Sequence, residues 1–305
     1  MELKSNVKKH IPQDKRVLGI LAGIIAAVCY GTNPLGALKL YAEGMQTGSV
    51  LFYRFGLAWI IICFVMLLRK ESIKVSLSEF KMLTGLGLLF IISSLTLYMS
   101  FHLMAAGVAS TILFTYPVMT AVIMAVFFHE KTSWEMLLSL FLSVVGVALL
   151  YWGDGSGPLP MTGVVLVLVS ALSYALYIIL VNKGNLKMSS FKINFYVLFY
   201  CALGMLIYSF IAGEPLTLPQ NAASWFYVGW LAIVPAILAL VLMVYAAKYV
   251  GSTSTAILGA LEPLTAVLIG IFIFDEAFST SLVMGIILII SAVVLIVLKA
   301  AKSEH

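Results

Sequence analysis

The sequence predicts an all-α integral membrane protein built from two inverted five-helix repeats. One reason is composition, since 62% of the 305 residues are hydrophobic and 10% are charged, whereas soluble domains are about half apolar and a quarter charged. The other reason is a repeat: Pro117 and Pro263 are 146 residues apart (263 − 117), and so are Glu130 and Glu276. Each glutamate ends an apolar segment that contains its proline, so two related halves are predicted.

Apolar segments of about 20 residues are long enough to cross the ~30 Å hydrocarbon core as helices. Ten such segments are predicted as spans 1 to 10, at 17–38, 47–68, 82–102, 108–128, 134–152, 162–181, 192–211, 223–247, 253–274 and 279–298. They group into an N-terminal tail, a first repeat, a linker, a second repeat and a C-terminal tail, at 1–16, 17–152, 153–161, 162–298 and 299–305.

Charge predicts the orientation of these spans. With the N-terminus inside, the inner segments hold sixteen Lys and Arg residues and the outer loops hold only Lys39. An excess of positive charge marks cytoplasmic loops, so both termini are predicted to be cytoplasmic and the protein to lie in the cytoplasmic membrane. Because five is odd, equivalent spans cross in opposite directions, which makes the repeat inverted. No basic face with base-reading residues is present, so nucleic acid is not an expected partner.

Motifs for metal, redox or nucleotide chemistry are missing from the sequence. The three cysteines lie inside spans without close spacing, which argues against disulfides or a metal site, and no histidine has a second ligand at metal spacing. No cofactor and no metal site are therefore predicted. No GxxxxGK[ST] loop is present either, so transport energy is expected from ion or solute gradients.

Several short motifs together resemble the EamA-type members of the drug/metabolite transporter superfamily. The motifs are Tyr30-Gly31-Thr32-Asn33, Arg54-Phe55, Tyr116-Pro117 with Glu130, and Glu262-Pro263 with Glu276. The resemblance implies ten helices, both termini inside, and a central cavity framed by spans 1, 3, 4, 6, 8 and 9. It also implies transport of a small molecule, often export of a metabolite or amino acid. The chain departs from the pattern at Tyr30, where many members have Trp, and at Pro34, which follows Asn33 directly.

Glu262 is the sharpest candidate for function. It lies near the middle of span 9, where a carboxylate is expensive and normally functional. Pro263 follows it and lacks a backbone N–H, so the carbonyl of Gly259 is expected to be free. A free carbonyl beside a carboxylate would suit a cation, an ammonium group or a proton, which makes proton coupling a hypothesis. The alternative is that Glu262 only bonds neighbouring hydroxyls and holds helices together.

Arg54 is the other intramembrane charge. It lies close enough to the outer end of span 2 for its guanidinium to reach toward the headgroups. A structural or gating role is favoured, because span 2 is expected to be peripheral. A contact with an anionic solute group, or with Glu262, stays open.

Polar and aromatic residues on the supposed cavity spans complete the predicted site. Tyr30 and Asn33 share a face of span 1, and two tyrosines match them in span 6. The predicted substrate-binding set is Tyr30, Asn33, Tyr98, Tyr116, Tyr174, Tyr177, Tyr245 and Glu262, and the predicted helix-break or gating set is Pro34, Pro117, Pro263 and Arg54. Each tyrosine could instead serve a membrane interface or a helix contact.

A secondary transporter is the function that these features favour. It is expected to move a small metabolite, such as an amino acid or a related amphipathic solute, outward by alternating access as the two halves rock about a midplane site. An intramembrane enzyme would need a Ser–Lys, paired-Asp or metal constellation, and a non-transporting scaffold would not need the duplicated prolines. The solute, the direction, the coupling ion and the oligomeric state stay open.

Overall fold

The computed structural model describes residues 13–129, 134–152, 158–184, 188–277 and 279–303. Glu130 and most of the linker between the repeats lie outside these ranges. The described first half contains α1 (Gln13–Gly31), α2 (Asn33–Ala42), α3 (Thr47–Leu68), α4 (Leu77–Ser100), α5 (Ala106–Leu113), α6 (Tyr116–Phe127) and α7 (Trp134–Trp152). The second contains α8 (Met161–Lys183), α9 (Ser190–Ala212), α10 (Ala222–Ile233), a π-helical turn (Val234–Leu238), α11 (Ala239–Leu258), α12 (Leu261–Phe274) and α13 (Thr280–Ser303).

These helices form a multi-pass membrane protein. Within the described ranges, eight helical stretches are long and apolar enough to cross a membrane, and two shorter apolar helices, Leu261–Phe274 and Thr280–Leu295, fall in predicted spans 9 and 10. Large apolar side chains cover the outside of the bundle, as at Phe210, which is 80% exposed. An apolar exterior of this extent suits contact with lipid rather than with water.

Local capping residues fix where several helices begin. Ser76 accepts a hydrogen bond from the backbone N–H of Glu79, whose carboxylate in turn accepts one from the backbone N–H of Ser76. This reciprocal pair is a capping box and starts α4. Ser189 and Asn221 cap α9 and α10 in the simpler way, each accepting one backbone N–H from three residues further on.

Predicted span 1 is broken in two at Thr32, between α1 and α2. Pro34 lies in the first turn of α2 and has no N–H to donate to the carbonyl of Tyr30. The side-chain amide of Asn33 donates to that carbonyl instead, at 2.8 Å, and the Thr32 hydroxyl donates to the carbonyl of Cys29 at 2.7 Å. The break therefore leaves both carbonyls paired.

Predicted spans 4 and 9 are also broken, each beside its proline. α5 ends at Leu113 and α6 begins at Tyr116, while α11 ends at Leu258 and α12 begins at Leu261. The expectation of a free Gly259 carbonyl was wrong, because that oxygen accepts the backbone N–H of Glu262 at 2.9 Å. A tighter turn thus supplies the donor that Pro263 lacks.

The boundary predicted between spans 8 and 9, at 248–252, is helical and belongs to α11. A Cβ at Gly23 would lie 3.3 Å from Ala246 and 2.6 Å from Leu258. A straight helix would separate residues twelve apart by about 18 Å. Since both residues contact the same point of α1, α11 bends back on itself between them.

The two repeats interleave rather than forming separate bodies. α1 packs against α11 and α12, α3 against α9, α4 against α8, and α7 against α13, so each of these pairs joins one repeat to the other. These pairs also follow the internal repeat. Spans 1 and 3 of the first half correspond to spans 6 and 8 of the second, so the pairing of span 1 with span 8 is equivalent to the pairing of span 3 with span 6. A motion in which each half rocks as a unit would break these contacts.

Candidate functional site

A cavity of about 610 Å³ lies in the middle of the bundle, within the range of small-molecule sites. It reaches the surface at one end, where exposed Ser190 and partly buried Asn194 of α9 line it. We call this the open end. At the other end its lining stops at Leu97, Tyr98 and Asn33, and layers of packed side chains beyond them form the closed end.

The structure brings nine of the twelve predicted site residues to the wall of this cavity. They are Tyr30, Asn33, Arg54, Tyr98, Tyr116, Pro117, Tyr174, Tyr177 and Glu262. Pro34 and Pro263 are buried in the first turns of α2 and α12, beside the helix breaks, and do not line it. Tyr245 does not line the cavity: it is 36% exposed, with its ring centroid 4.6 Å from that of Tyr249 on the same helix. Tyr245 was predicted from its position in span 8, but its side chain lies on a face of α11 that is turned away from the cavity.

Aromatic rings form one side of the wall. Tyr116, at the start of α6, meets Tyr174 edge to face with centroids 4.8 Å apart, and Tyr174 is nearly parallel to Tyr177 at 5.9 Å. Phe90 of α4 closes the group at 5.3 Å from Tyr177. Such ring pairs add stability beyond their buried area and hold the faces in fixed orientations. The wall is therefore an ordered aromatic surface.

Glu262 lies in the first turn of α12 and lines the cavity. The broken helix places this carboxylate at a helix N-terminus, where the partial positive charge of the backbone favours an anion. Among the described residues no hydrogen bond reaches its side chain, and its oxygens are not sealed from the cavity. The alternative role of bonding neighbouring hydroxyls therefore has no support in the described contacts.

Arg54 does not reach toward the headgroups as expected, because it is 7% exposed and lines the cavity. Its guanidinium donates a hydrogen bond to the Tyr98 hydroxyl, which donates to Asn33 Oδ1 at 3.3 Å. It also lies 5.3 Å from the centroid of the Phe55 ring, a distance at which a ring face attracts a cation. Among the described residues its Nε finds no hydrogen-bond partner.

Arg54 and Glu262 do not neutralise each other. No ion pair joins them in the part of the chain that the structure describes, and neither has another charged partner there. A buried charge is normally paired, because leaving water is costly. The cavity wall thus carries one positive and one negative group with no ion pair between them among the described residues. The described residues contain no group of three His, Cys, Asp or Glu side chains that could hold a metal ion.

Several lining residues were missed by sequence reasoning. Ser93 and Ser94 of α4, Phe90, and Asn194 of α9 line the cavity. The adjacent serines inside an apolar span were an available signal, since polar residues in membrane helices tend to face protein or a cavity. Ser93 also joins the repeats, because the Ser170 hydroxyl donates to its carbonyl at 2.7 Å. Phe90 gave no such signal, because nothing separates it in the sequence from lipid-facing phenylalanines.

The closed end is sealed by polar and aromatic contacts beyond the cavity. The Tyr41 ring stacks on His102 at 4.0 Å, and its hydroxyl donates to the carbonyl of Tyr98 at 3.1 Å. Thr47 bonds the His102 ring at 3.1 Å. Burial lowers the pKa of His102, although the charge of Glu214 acts in the opposite direction.

Comparison with known proteins identifies relatives across the whole chain. The model of the EamA-like transporter family matches residues 17–152 and 161–298. An uncharacterized transporter of Archaeoglobus fulgidus is 28% identical over 280 residues, covering 91% of this chain and 95% of that protein. An S-adenosylmethionine uptake transporter of Rickettsia bellii is 26% identical over 273 residues, covering 87% and 88%.

A solved crystal structure shares the fold. It superposes with a TM-score of 0.67 over 94% of this chain and 99% of that one, at 16% sequence identity. At this identity the likeness concerns the arrangement of the helices and not the solute or the chemistry.

Proposed function

The chain belongs to the EamA-like transporter family of the drug/metabolite transporter superfamily, and on that basis we propose that it is a secondary transporter that moves an amino acid or a related small solute by alternating access. The observation that carries the proposal is the cavity between the repeats, open at one end, sealed at the other, and lined by two unpaired opposite charges. Helices broken at equivalent points beside such a cavity are typical of carriers.

The predicted topology assigns the open end to the cytoplasm. Basic residues collect there: Lys192 donates to the carbonyl of Lys74 at 2.5 Å, and the Arg69 guanidinium lies 4.8 Å from the Phe191 ring centroid. Positive residues favour the cytoplasmic side. In this proposal ten spans cross the cytoplasmic membrane with both termini inside, and the structure is the inward-facing state.

The two charges define the chemistry of the proposed solute. A carboxylate would pair with Arg54 and an ammonium group with Glu262, and each charge would lose its desolvation penalty only when a solute carries both groups. The rings of Tyr116, Tyr174 and Tyr177 would then cover an apolar or aromatic side chain. S-adenosylmethionine carries an amino-acid group of this kind, so the name of the Rickettsia relative agrees with this solute class.

Glu262 also gives the proposal a site for a coupling proton. The carboxylate can bind either a proton or an ammonium group, but not both, so uptake of one favours release of the other. Exchange of an outward-moving amino acid for an inward-moving proton would follow, which makes export the proposed direction where the outside is acidic. Neither step needs a nucleotide.

Counterflow in proteoliposomes tests the proposal. Vesicles containing the purified protein are loaded with one unlabelled amino acid, and entry of the labelled form is followed for a panel of amino acids. Matched analogues, in which either the amino or the carboxyl group is replaced by hydrogen, serve as controls. We expect saturable counterflow for at least one intact amino acid and at least tenfold less for both analogues, since each lacks one charge pair.

Three results would contradict the proposal. If an analogue that lacks one charged group shows equal counterflow, the protein is still a carrier, but the proposed solute class is wrong. No counterflow of any solute, by protein that is folded and inserted, would favour a scaffold, and chemical conversion of the solute without flux would favour an enzyme.

A further inference from the structure

Glu276 makes a contact between the repeats at the closed end. It lies just after α12, and its two carboxylate oxygens accept backbone N–H groups at the start of α5, from Ala106 at 2.6 Å and from Gly107 at 3.1 Å. These N–H groups have no partner inside their own helix. The second repeat thus supplies the cap of a helix that belongs to the first.

The surrounding backbone is shaped to hold this carboxylate. A Cβ at Gly270 would lie 2.1 Å from Glu276 Oε2, and one at Gly107 would lie 2.9 Å from the Cα of Val267. Asp275 takes a left-handed conformation with φ 52°, which turns the chain so that the Glu276 N–H bonds the Gly270 carbonyl at 2.9 Å. A left-handed non-glycine residue is uncommon and persists only when its surroundings favour it. Gly107, Gly270 and the left-handed turn at Asp275 therefore all accommodate the side chain of Glu276.

The contact lies where the two broken helices meet. α5 packs against α12 at the closed end, whereas α6, the continuation of α5 toward the open end, packs against α7, α8 and α13. The broken helices therefore touch on one side of the cavity and diverge on the other. Opening the closed end would have to separate α5 from α12 and release Glu276.

We propose that Glu276 is a latch that holds the closed end shut by capping α5 across the repeats, so that its release is part of each transport cycle. This inference rests on alternating access but not on the identity of the solute. Glu276 is a positioning residue, because it sets the balance between two states without lining the cavity.

A pH effect accompanies the latch. Burial raises the pKa of Glu276, and the N–H groups of Gly107 and Ala106 offset part of that rise. Once released into water, the carboxylate regains a pKa near its ordinary value, so the latched state holds its proton to higher pH. By linkage the latch is strongest at low pH and weakens as the pH rises through the raised pKa. No titratable side chain lies on α5. Among the described residues, the other charged or titratable groups at this end include Asp275, Lys39, His102, Glu43 and Glu214.

Two substitutions release the latch by different routes. Glu276→Ala removes both acceptors. Gly270→Ala keeps the carboxylate but places a Cβ 2.1 Å from its present position, and the flexible side chain must move away. Alanine is also a better helix former than glycine, so α12 itself is not weakened. Gly56→Ala and Gly229→Ala, where an added Cβ meets nothing within 4 Å, are the matched controls for Gly270→Ala.

The readout is a distance across the closed end. Spin labels are attached at cysteines replacing exposed Ala42 of α2, which packs near α12, and exposed Met161 of α8, which packs on α5. The native cysteines Cys29, Cys63 and Cys201 are first replaced by alanine. Double electron–electron resonance of the full chain in lipid nanodiscs then gives the distance distribution without any solute.

We expect both latch variants to gain a longer-distance population, with the open-to-closed ratio rising about tenfold on loss of the two hydrogen bonds to α5. The control variants should match the parent. Glu276→Gln should remove the part of the pH dependence that belongs to this site. Distributions of Glu276→Ala and Gly270→Ala that superimpose on the parent, in protein whose thermal unfolding is unchanged or merely lowered, would overturn the latch and leave Glu276 a static cap.

Discussion

The two broken helices of the cavity occupy equivalent places in the repeat, yet they carry different side chains. In the first repeat Tyr116 begins α6 ahead of Pro117, and in the second Glu262 stands ahead of Pro263 in the first turn of α12. Both side chains line the same cavity. The prolines therefore build a common frame, while the residue before each proline gives the two halves different chemistry at the cavity wall. The first repeat adds its own charge elsewhere, at Arg54.

The largest expected effect comes from removing the charge that makes the two breaks different. Glu262→Gln keeps the shape of the side chain but loses the partner of an ammonium group or proton. We expect flux to fall about 100-fold, the order found when a buried charged group loses its partner. Counterflow in proteoliposomes measures it, with membrane insertion as the control. Full flux with an unchanged pH profile would rule out coupling at this site.

Arg54→Gln tests whether the first repeat supplies the complementary charge. Loss of the guanidinium should raise the half-saturating concentration of an intact amino acid about tenfold or more, since one charge pair is lost. An analogue without a carboxylate should change little, because it never paired with Arg54. If the half-saturating concentration rises by the same factor for both solutes, Arg54 supports the local structure through its hydrogen bond to Tyr98 and does not pair with the carboxylate of the solute.

Pro117→Ala and Pro263→Ala test whether the two breaks act alike. Alanine restores an N–H that can bond the carbonyl four residues earlier and favours a continuous helix. We expect each variant to slow turnover severalfold while solute binding, measured by thermal shift, changes less. An effect confined to Pro263 would mean that only one break moves during transport.

Tyr116→Phe should have the smallest effect. The phenyl ring keeps the edge-to-face contact with Tyr174, and no hydrogen bond from the Tyr116 hydroxyl is found in the described part of the chain. We expect flux within about threefold of the parent, consistent with loss of one weak interaction. A loss as large as that of Glu262→Gln would show that both halves contribute polar chemistry at the breaks.

Much of the architecture could be predicted because the bilayer imposes simple rules. Apolar length gives the spans, and the matching prolines give the breaks, since a proline cannot donate the bond that a helix needs. Eight of the nine predicted site residues that line the cavity have polar side chains, and polar groups within a span avoid lipid; the ninth is Pro117, at the helix break. Tyr245 does not follow this rule, because a tyrosine side chain is amphipathic and can lie on an exposed face of a helix.

The membrane class, the duplicated plan and the asymmetric pair Tyr116 and Glu262 could be read directly from the chain, because hydropathy and repeat spacing are local properties. The interleaving of the repeats, the absence of an ion pair between Arg54 and Glu262 among the described residues, and the cap that Glu276 places on α5 became visible only in the folded protein. These facts depend on which helix faces lie together, and that is set by packing between residues distant in the chain.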